Sequence, residues 1–472
     1  MTQEKRNRVH FIGIGGIGMS ALARYFLSEK WHVSGSDLSP SEITNELREE
    51  GIKFFTDHRP SNISPNIQLV VYNNAIPTDN PELRRARELG LACRTYPEVI
   101  GELTKTYKTI AIAGSHGKST TTAMTALILI EAGLDPMVIV GTKLKEFSPT
   151  VIVRSRRRRG NLSSVGSPRS ARDDSYGVNF RKGKGGYLVL EADEWKAAFH
   201  HYSPFVATIT NVDAEHLDFY KTFANVKKSF EKFKSQCHAV VERPKNKMLE
   251  EKIRRILKVP GEHNVQNALN AYALARFLNI PERTILSALG KYHGAWRRME
   301  FRGYFNNRET AAGSKQSVVS NKKTPRLILN TSYLIPVFDD YAHHPSEIKA
   351  TLAGFKQKWP KNALICVFQP HQGKRLKLLY NSFKTAFKAA DRVVILPTYQ
   401  VAGRESEKAS KYNAKRLAQD IGATYVLHPE MDLKRMLQQI TNNLITNNHS
   451  TPAIIVMMGA GTINDLTPTL LK

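Results

Sequence analysis

The chain has 472 residues with 69 Lys and Arg against 42 Asp and Glu, a formal net charge of +27, and 41% hydrophobic and 24% charged residues. That length is more than one hydrophobic core serves and points to about two to four domains of an ordinary globular protein. No run approaches the roughly 18 to 20 apolar residues of a membrane span, and MTQEKRNRVHFIGIGG lacks the apolar core of a signal peptide, so no membrane insertion and a cytoplasmic chain are expected. Cys93, Cys237 and Cys366 lie far apart without Cys-x-x-Cys spacing, which excludes a disulfide framework or a zinc site as the organising feature.

Residues 9–12 (Val-His-Phe-Ile) read as a buried strand, and Gly13-Ile14-Gly15-Gly16-Ile17-Gly18 leads into a helix from Met19. Strand, Gly-x-Gly-x-x-Gly and helix form a fingerprint for binding a diphosphate through close backbone approach. Asp37 follows at the distance where an acid meets a ribose hydroxyl, and on its own this favours NAD. Strands at 69–72 and 92–95 around a charged helix at 81–89 complete a small α/β domain ending near Tyr107.

A second glycine loop follows the β-branched run at 109–112. AGSHGKSTTT (113–122) breaks at Gly114, passes Ser115, His116, Gly117, Lys118, Ser119 and Thr120, and becomes a helix to about Ala132. Converging backbone N–H groups, a lysine and a magnesium-ligating hydroxyl are what a nucleoside triphosphate requires. After a strand at 137–141, the strand 187–190 delivers Glu191, Asp193 and Glu194, and the strand 206–210 delivers Asn211, Asp213, Glu215, His216 and Asp218. Two strands ending in acids beside a phosphate loop suit a metal-assisted phosphoryl-transfer site. Asn264 and Asn267, three apart on a helix, share a face and can offer amides to a purine edge.

Between Arg154 and Lys184 there are ten Lys or Arg against two Asp, a net +8. This basic stretch, with GNLSSVGSPRS after the arginine run, reads as a solvated mobile loop, and without interleaved aromatics it does not read as a specific nucleic-acid site.

The motifs GIGGIGMSALA, AGSHGKSTTT, EADE, TNVDAEHLDFY, VPGEHNVQNALNAYALA, GAWRRMEFRG, FDDYAHHPSEI, FQPHQGKR and GAGTI occur in this order over nearly the whole chain. Together they resemble the Mur ligases of peptidoglycan synthesis, and within that family the members that add L-alanine to UDP-N-acetylmuramate. The resemblance implies an α/β protein of three domains: a Rossmann-like UDP-sugar domain (1–107), a central P-loop ATPase with a mostly parallel sheet (108–293), and a Rossmann-like amino-acid domain (294–472). It replaces NAD by the diphosphate of a UDP-sugar, bound by Gly13, Gly15, Gly16, Gly18 and Asp37, with Asn73 near the uridine. It implies ATP as substrate on the loop Gly114–Thr120, with Lys118 on the β- and γ-phosphates. Ser119, Glu191 and His216 would hold Mg2+, with Glu215 behind His216. Asn264 and Asn267 would face adenine, Arg297 or Arg298 would reach the γ-phosphate, and Asp340 and His344 would lie by the ribose. His371 and Arg375 would meet the amino acid. The implied partners are UDP-N-acetylmuramate, L-alanine and ATP, in a monomer or dimer.

Three departures from the family pattern stand out: Gln372 where an arginine is expected, a short 233–259 interval read mainly as one charged helix at 245–258, and a basic insertion at 306–333. The alternatives are a relative that adds another amino acid or a peptide to the same sugar, an NAD-dependent oxidoreductase, and a nucleotide hydrolase associated with nucleic acid.

Overall fold

The structure, a computed structural model, describes residues 7–144, 146–147, 177–307, 334–399, 412–447 and 452–471. The arginine run at 154–159 and nearly all of the insertion read at 306–333 lie outside these residues.

The first sheet contains β1 (Arg8–Ile12), β2 (His32–Ser36), β3 (Lys53–Phe55), β4 (Leu69–Tyr72) and β5 (Ala92–Thr95), in the order β3-β2-β1-β4-β5 with every pairing parallel. Strand order reverses at β1, whose C-terminal end runs through the first glycine loop into α1 (Ile17–Ser28). Such a reversal splays the flanking connections apart and leaves a crevice at the strand ends. The helix α2 (Glu42–Glu49) follows β2 and is capped by Ser41, whose hydroxyl accepts from the Thr44 N–H.

The second sheet contains β6 (Lys108–Ala113), β7 (Met137–Ile139), β8 (Phe180–Arg181), β9 (Tyr187–Ala192), β10 (Val206–Ile209) and β11 (Ala239–Val241). Its order is β11-β10-β6-β9-β7-β8, parallel except for β7 against β8. Strand β8 corrects the reading of the basic stretch as loop through Lys184. Phe180 is buried against Tyr25, with ring centroids 6.4 Å apart, Arg181 donates to Asp135 at 2.5 Å, and Lys182 pairs with Glu29 at 2.8 Å. One buried aromatic and two ion pairs outweigh the local basic composition. The short 233–259 interval yields β11 and the helix Lys247–Ile256.

One apolar cluster runs through both sheets, with Phe11, Phe26 and Leu22 from the first and Phe180, Leu188 and Phe199 from the second. Each such side chain contributes roughly 1.5–3 kcal/mol when fully buried, which is why two sheets behave as one body. They form a single compact unit, Met1–Val259 with His263–Trp296.

The other unit, built on Arg297–Lys472, holds the third sheet. Its strands are β12 (Glu300–Asn306), β13 (Leu334–Asp340), β14 (Ala363–Phe368), β15 (Arg392–Ile395), β16 (Thr424–Tyr425) and β17 (Ala453–Met458), ordered β12-β13-β17-β14-β15-β16 and parallel except for β12 against β13. The runs ALICVF and AIIVMM are buried throughout, as central parallel strands covered on both faces must be. The α/β architecture with three sheets is the one expected from the sequence. Among the described residues no helix is long and apolar enough to cross a membrane.

The first sheet also encloses a charge. Glu82, fully buried, accepts from Asn62 Nδ2 at 2.7 Å and Ser36 Oγ at 2.5 Å, and lies 3.0 Å from His58 Nδ1 and 3.5 Å from His10 Nε2. Burial alone would raise its pKa; the contacts with His10, His58 and Ser36 overcome that and bring it to about 2. A carboxyl group depressed on folding stabilises above its ordinary value of 4.5 and loses that contribution as pH falls from there toward about 2. Glu82→Gln should therefore cost about 3 kcal/mol at neutral pH, with the gap to the parent chain closing below pH ~4 in urea unfolding followed across pH.

Candidate active site

The second glycine loop leaves β6 between the ends of β9 and β10, and hydrogen bonds stitch it to β10. Asn211 accepts from the Ser115 N–H through its backbone oxygen at 3.1 Å and from the His116 N–H through Oδ1 at 2.9 Å. Thr210 Oγ1 and Asn211 Nδ2 both donate to the His116 carbonyl, at 2.5 and 2.9 Å. Gly117 adopts φ +83 to turn the chain into the helix Lys118–Glu131, and any side chain there would collide with the Asn267 amide. The loop amides thus open onto a helix N-terminus, the arrangement that receives phosphate.

Lys118 Nζ donates to the Gly114 carbonyl at 2.6 Å and pairs with Glu194 Oε2 at 2.9 Å. Burial works against its charge, but Glu194 and Asp193 outweigh burial and hold its pKa above the usual lysine value, so it stays an ammonium. Ser119 Oγ donates to Glu191 Oε2 at 3.1 Å, and the other oxygen of Glu191 takes the Gly141 N–H at 2.5 Å. His216, at φ +53, brings Nε2 to 3.7 Å from both Glu194 Oε1 and Glu215 Oε2. Ligand atoms of Asp193, Glu194 and His216 lie within 4.8 Å of one another, a set that can hold a metal ion.

Glu191 lies beside Ser119, and Glu194, to which the sequence reading gave no separate role, lies beside Lys118. Glu194 lies two residues past the end of β9, where strand alternation no longer gives a side chain's direction, so its position beside Lys118 could not be read from spacing. Asn264 and Asn267 are both buried on the helix Glu262–Phe277, with Asn267 against the phosphate loop.

At the first glycine loop, Asp37 Oδ2 accepts from the Gly15 N–H at 2.9 Å and Oδ1 from the Ser39 N–H at 3.1 Å, so its carboxylate shapes the loop between Gly13 and Gly16. Asn73 Oδ1 accepts from the Ala75 N–H at 2.8 Å, beside Gly13. Tyr96, which the sequence reading passed over, packs its ring on Gly18. Burial first, then the charges of Glu191 and Asp193, keep its phenol protonated well above the usual range. It therefore adjoins the start of α1 and feels the carboxylates of the second sheet. Its only sequence signal was an aromatic opening a helix.

In the other unit, the two neighbouring arginines separate. Arg297 is buried at φ +54, and its Nη2 donates to the carbonyls of Gly459 and Gly461 at 2.5 and 3.1 Å. It pins the GAGTI loop. Arg298 is half-buried, its guanidinium 5.1 Å from the centre of the Tyr341 ring. Asp340, at the end of β13, accepts from the Met299 N–H at 2.8 Å and the Ala342 N–H at 2.9 Å; burial raises its pKa against the pull of Arg298 and these amides. His344 caps the helix Pro345–Lys358. His371 stacks on Tyr399, with centroids 5.4 Å apart, and Gln372 adopts φ +65 ahead of the helix Gly373–Leu378 that carries Arg375. Arg375 Nη1 is buried and makes no hydrogen bond among the described residues. Burial, with the charges of Arg375 and His371 adding to it against Glu347, pushes the His343 imidazole down to about 3, so it is neutral.

Comparison with known proteins identifies the family of the whole chain. Three family models match in order: the Mur ligase family catalytic domain at residues 8–108, the Mur ligase middle domain at 112–256 and the Mur ligase glutamate ligase domain at 328–461. The UDP-N-acetylmuramate–L-alanine ligase of Aquifex aeolicus is 32% identical, with 100% of this chain and 99% of that protein covered, and the enzyme of the same name from Clostridium perfringens is 33% identical with the same coverage. Among solved structures, the UDP-N-acetylmuramate-alanine ligase of Thermotoga maritima is 25% identical with a TM-score of 0.72, covering 98% of both chains. A murein peptide ligase from Psychrobacter arcticus shares the fold at a TM-score of 0.58 and 22% identity. With its phosphate loop, paired strand-end carboxylates and full-length likeness to these enzymes, the chain belongs to the Mur ligase family.

Proposed function

We propose that the chain is an ATP-dependent ligase that joins L-alanine to the lactyl carboxylate of UDP-N-acetylmuramate, acting in the cytoplasm on soluble peptidoglycan precursors. The observation that carries this reading is the meeting of Lys118, Glu191, Glu194 and His216 at the ends of adjacent strands, in the same unit as a second glycine loop. A carboxylate resists an amine until it carries a leaving group. Transfer of the γ-phosphoryl group to the carboxylate oxygen releases ADP and gives an acyl phosphate. The neutral alanine amine then adds to the acyl carbon, the carbon–oxygen bond to phosphate breaks, and the amide and inorganic phosphate leave. Little covalent chemistry falls to the protein, so positioning and charge neutralisation do most of the catalysis.

Lys118 and the loop amides from Ser115 to Thr120 would hold the β- and γ-phosphates. The hydroxyl of Ser119 beside Glu191, and the cluster of Asp193, Glu194 and His216, fit Mg2+ by their predominantly hard oxygen donors and mutual closeness. Bound there, Mg2+ would offset the phosphate charge. Asn264 and Asn267 would serve the adenine, and the Gly13–Gly18 loop with Asp37 and Asn73 the UDP group. Of the two arginines, Arg298 is the candidate for a phosphate, since Arg297 is bound to loop carbonyls. The unbonded Arg375 Nη1, with His371 nearby in sequence, suits the carboxylate of the incoming amino acid. A second reading, glycine or serine in place of L-alanine, rests on Gln372.

Lys118→Ala should abolish phosphate release that depends on both UDP-N-acetylmuramate and L-alanine; release that survives the change would sink the ligase reading. Across a panel of amino acids with the UDP-sugar and ATP, L-alanine should give the highest kcat/KM, and a preference for glycine or serine would favour the second reading. Glu194→Gln breaks a buried ion pair and should cost about 3–5 kcal/mol of stability, seen as a fall in Tm, together with weaker ATP binding by calorimetry.

A further inference from the structure

We propose that Asn179 is a positioning residue that couples the first glycine loop to the metal-binding carboxylate of the second, so that sugar nucleotide and ATP bind interdependently. The inference rests on the ligase reading above and concerns a residue with no part in the chemistry described there. Asn179 is fully buried just ahead of β8, and every polar atom of its amide is engaged. Oδ1 accepts from Arg24 Nη1 at 2.5 Å, while Nδ2 donates to the Ile17 carbonyl at 2.6 Å and to Ser20 Oγ at 2.9 Å. Only this amide orientation satisfies an arginine donor and a carbonyl acceptor together. Ile17 and Ser20 form the first turn of α1, immediately after the glycine loop.

The backbone of Asn179 points the other way. Its carbonyl accepts from the Val140 N–H at 3.1 Å, and the next residue, Gly141, donates its N–H to Glu191 Oε1. A side chain at Gly141 would place a Cβ 2.9 Å from both oxygens of Glu191, so the backbone must come this close. Three hydrogen bonds, Asn179 to Ile17, Asn179 to Val140 and Gly141 to Glu191, therefore span the distance from one nucleotide loop to the carboxylate that pairs with Ser119 of the other. On the far flank of Gly141, Lys143 is fully buried and donates to Glu42 and Glu46 of α2 at 2.7 and 2.6 Å. Both sides of the Gly141 turn are thus tied to the first sheet, and a shift of α1 or α2 on binding a diphosphate has no slack before it reaches Glu191.

A chain of contacts becomes coupling only if binding at one end changes affinity at the other. In the intact protein, the affinity for a non-hydrolysable ATP analogue with Mg2+ is measured by calorimetry with and without saturating UDP-N-acetylmuramate. The two affinities should differ roughly tenfold in the parent chain, and by reciprocity the analogue should change UDP-sugar affinity by the same factor. Asn179→Asp keeps the shape and the Arg24 contact but sets a carboxylate oxygen against the Ile17 carbonyl; it should bring the ratio to within about twofold of one. A purely structural role would lower Tm and leave the ratio unchanged. Ser20→Ala removes a single acceptor of the same amide and should reduce the ratio by about threefold, and it carries the test if the aspartate variant does not fold. A ratio of one in the parent chain, or an unchanged ratio in Ser20→Ala or in folded Asn179→Asp, overturns the inference. A parent chain that shows the coupling but forms no phosphate with L-alanine would overturn the functional reading alone, and one that does not bind the UDP-sugar would overturn both.

Discussion

Strand β6 lies between β9 and β10 in parallel register, and that pairing decides where chemistry can occur. Ile112 stands opposite Glu191 and Ala113 opposite both Ala192 and Ile209. Parallel neighbours run the same way, so the phosphate loop leaves β6 at the level where β9 releases its carboxylates and β10 releases Thr210 to Asp213. A slip of one residue would turn the Glu191 side chain toward the opposite, apolar face of the sheet, where Ala111, Leu188 and Leu190 pack. The cost of burying that carboxylate in an apolar face is what makes the register, and with it the site, unambiguous.

The same accounting explains how a chain so rich in cations keeps several of them inside. Arg24 and Lys143 are 2% and 0% exposed, and each is held by two carboxylates: Glu46 and Glu50 for the arginine, Glu42 and Glu46 for the lysine. Taking an ion out of water costs several kcal/mol unless it is paired and hydrogen-bonded. Lys118 and Glu194 obey the same rule at the site itself. Acids of the first unit are thus committed to its buried cations.

Much of this was legible in one dimension. Glycine-bounded β-branched runs at β1, β6 and β9 gave strands because burial on both faces leaves no other use for such runs, and both glycine loops follow from strand, turn and helix start. The strand ends that carry the carboxylates were also readable. What was not readable depends on direction and distance rather than residue type. Glu191 and Glu194 are both acids three apart, yet one binds Ser119 and Gly141 while the other meets Lys118, because the chain has left the strand between them. Arg297 and Arg298 are adjacent and alike in sequence, and only the left-handed turn at Arg297 sends one into the GAGTI loop and leaves the other over Tyr341. Asn179 and Phe180 were hidden in a basic stretch that reads as loop, since their partners lie some 160 residues earlier in the chain.

The distribution of strained backbone sharpens the same distinction. Ten non-glycine residues among those described have positive φ. Lys30, Asp135, Lys221 and Asn279 lie one to four residues beyond helix ends, where a left-handed residue or a turn ends the helix. The other six are Lys196 and Ala197 after the carboxylates of β9, His216 in the loop after β10, Arg297 and Met299 around the arginine pair, and Gln372 ahead of Arg375. Each costs of order 1–3 kcal/mol and persists only where surrounding contacts impose it. At Met299 the imposing contact is its own N–H donated to Asp340 at 2.8 Å, and at Arg297 it is the N–H donated to Glu300 at 2.8 Å. Glycine would adopt the same angles without strain but carries no imidazole, guanidinium or amide. At His216, Arg297 and Gln372 the chain keeps a polar side chain and bears the strain there, which is the trade expected where a side chain's contacts count for more than backbone ease.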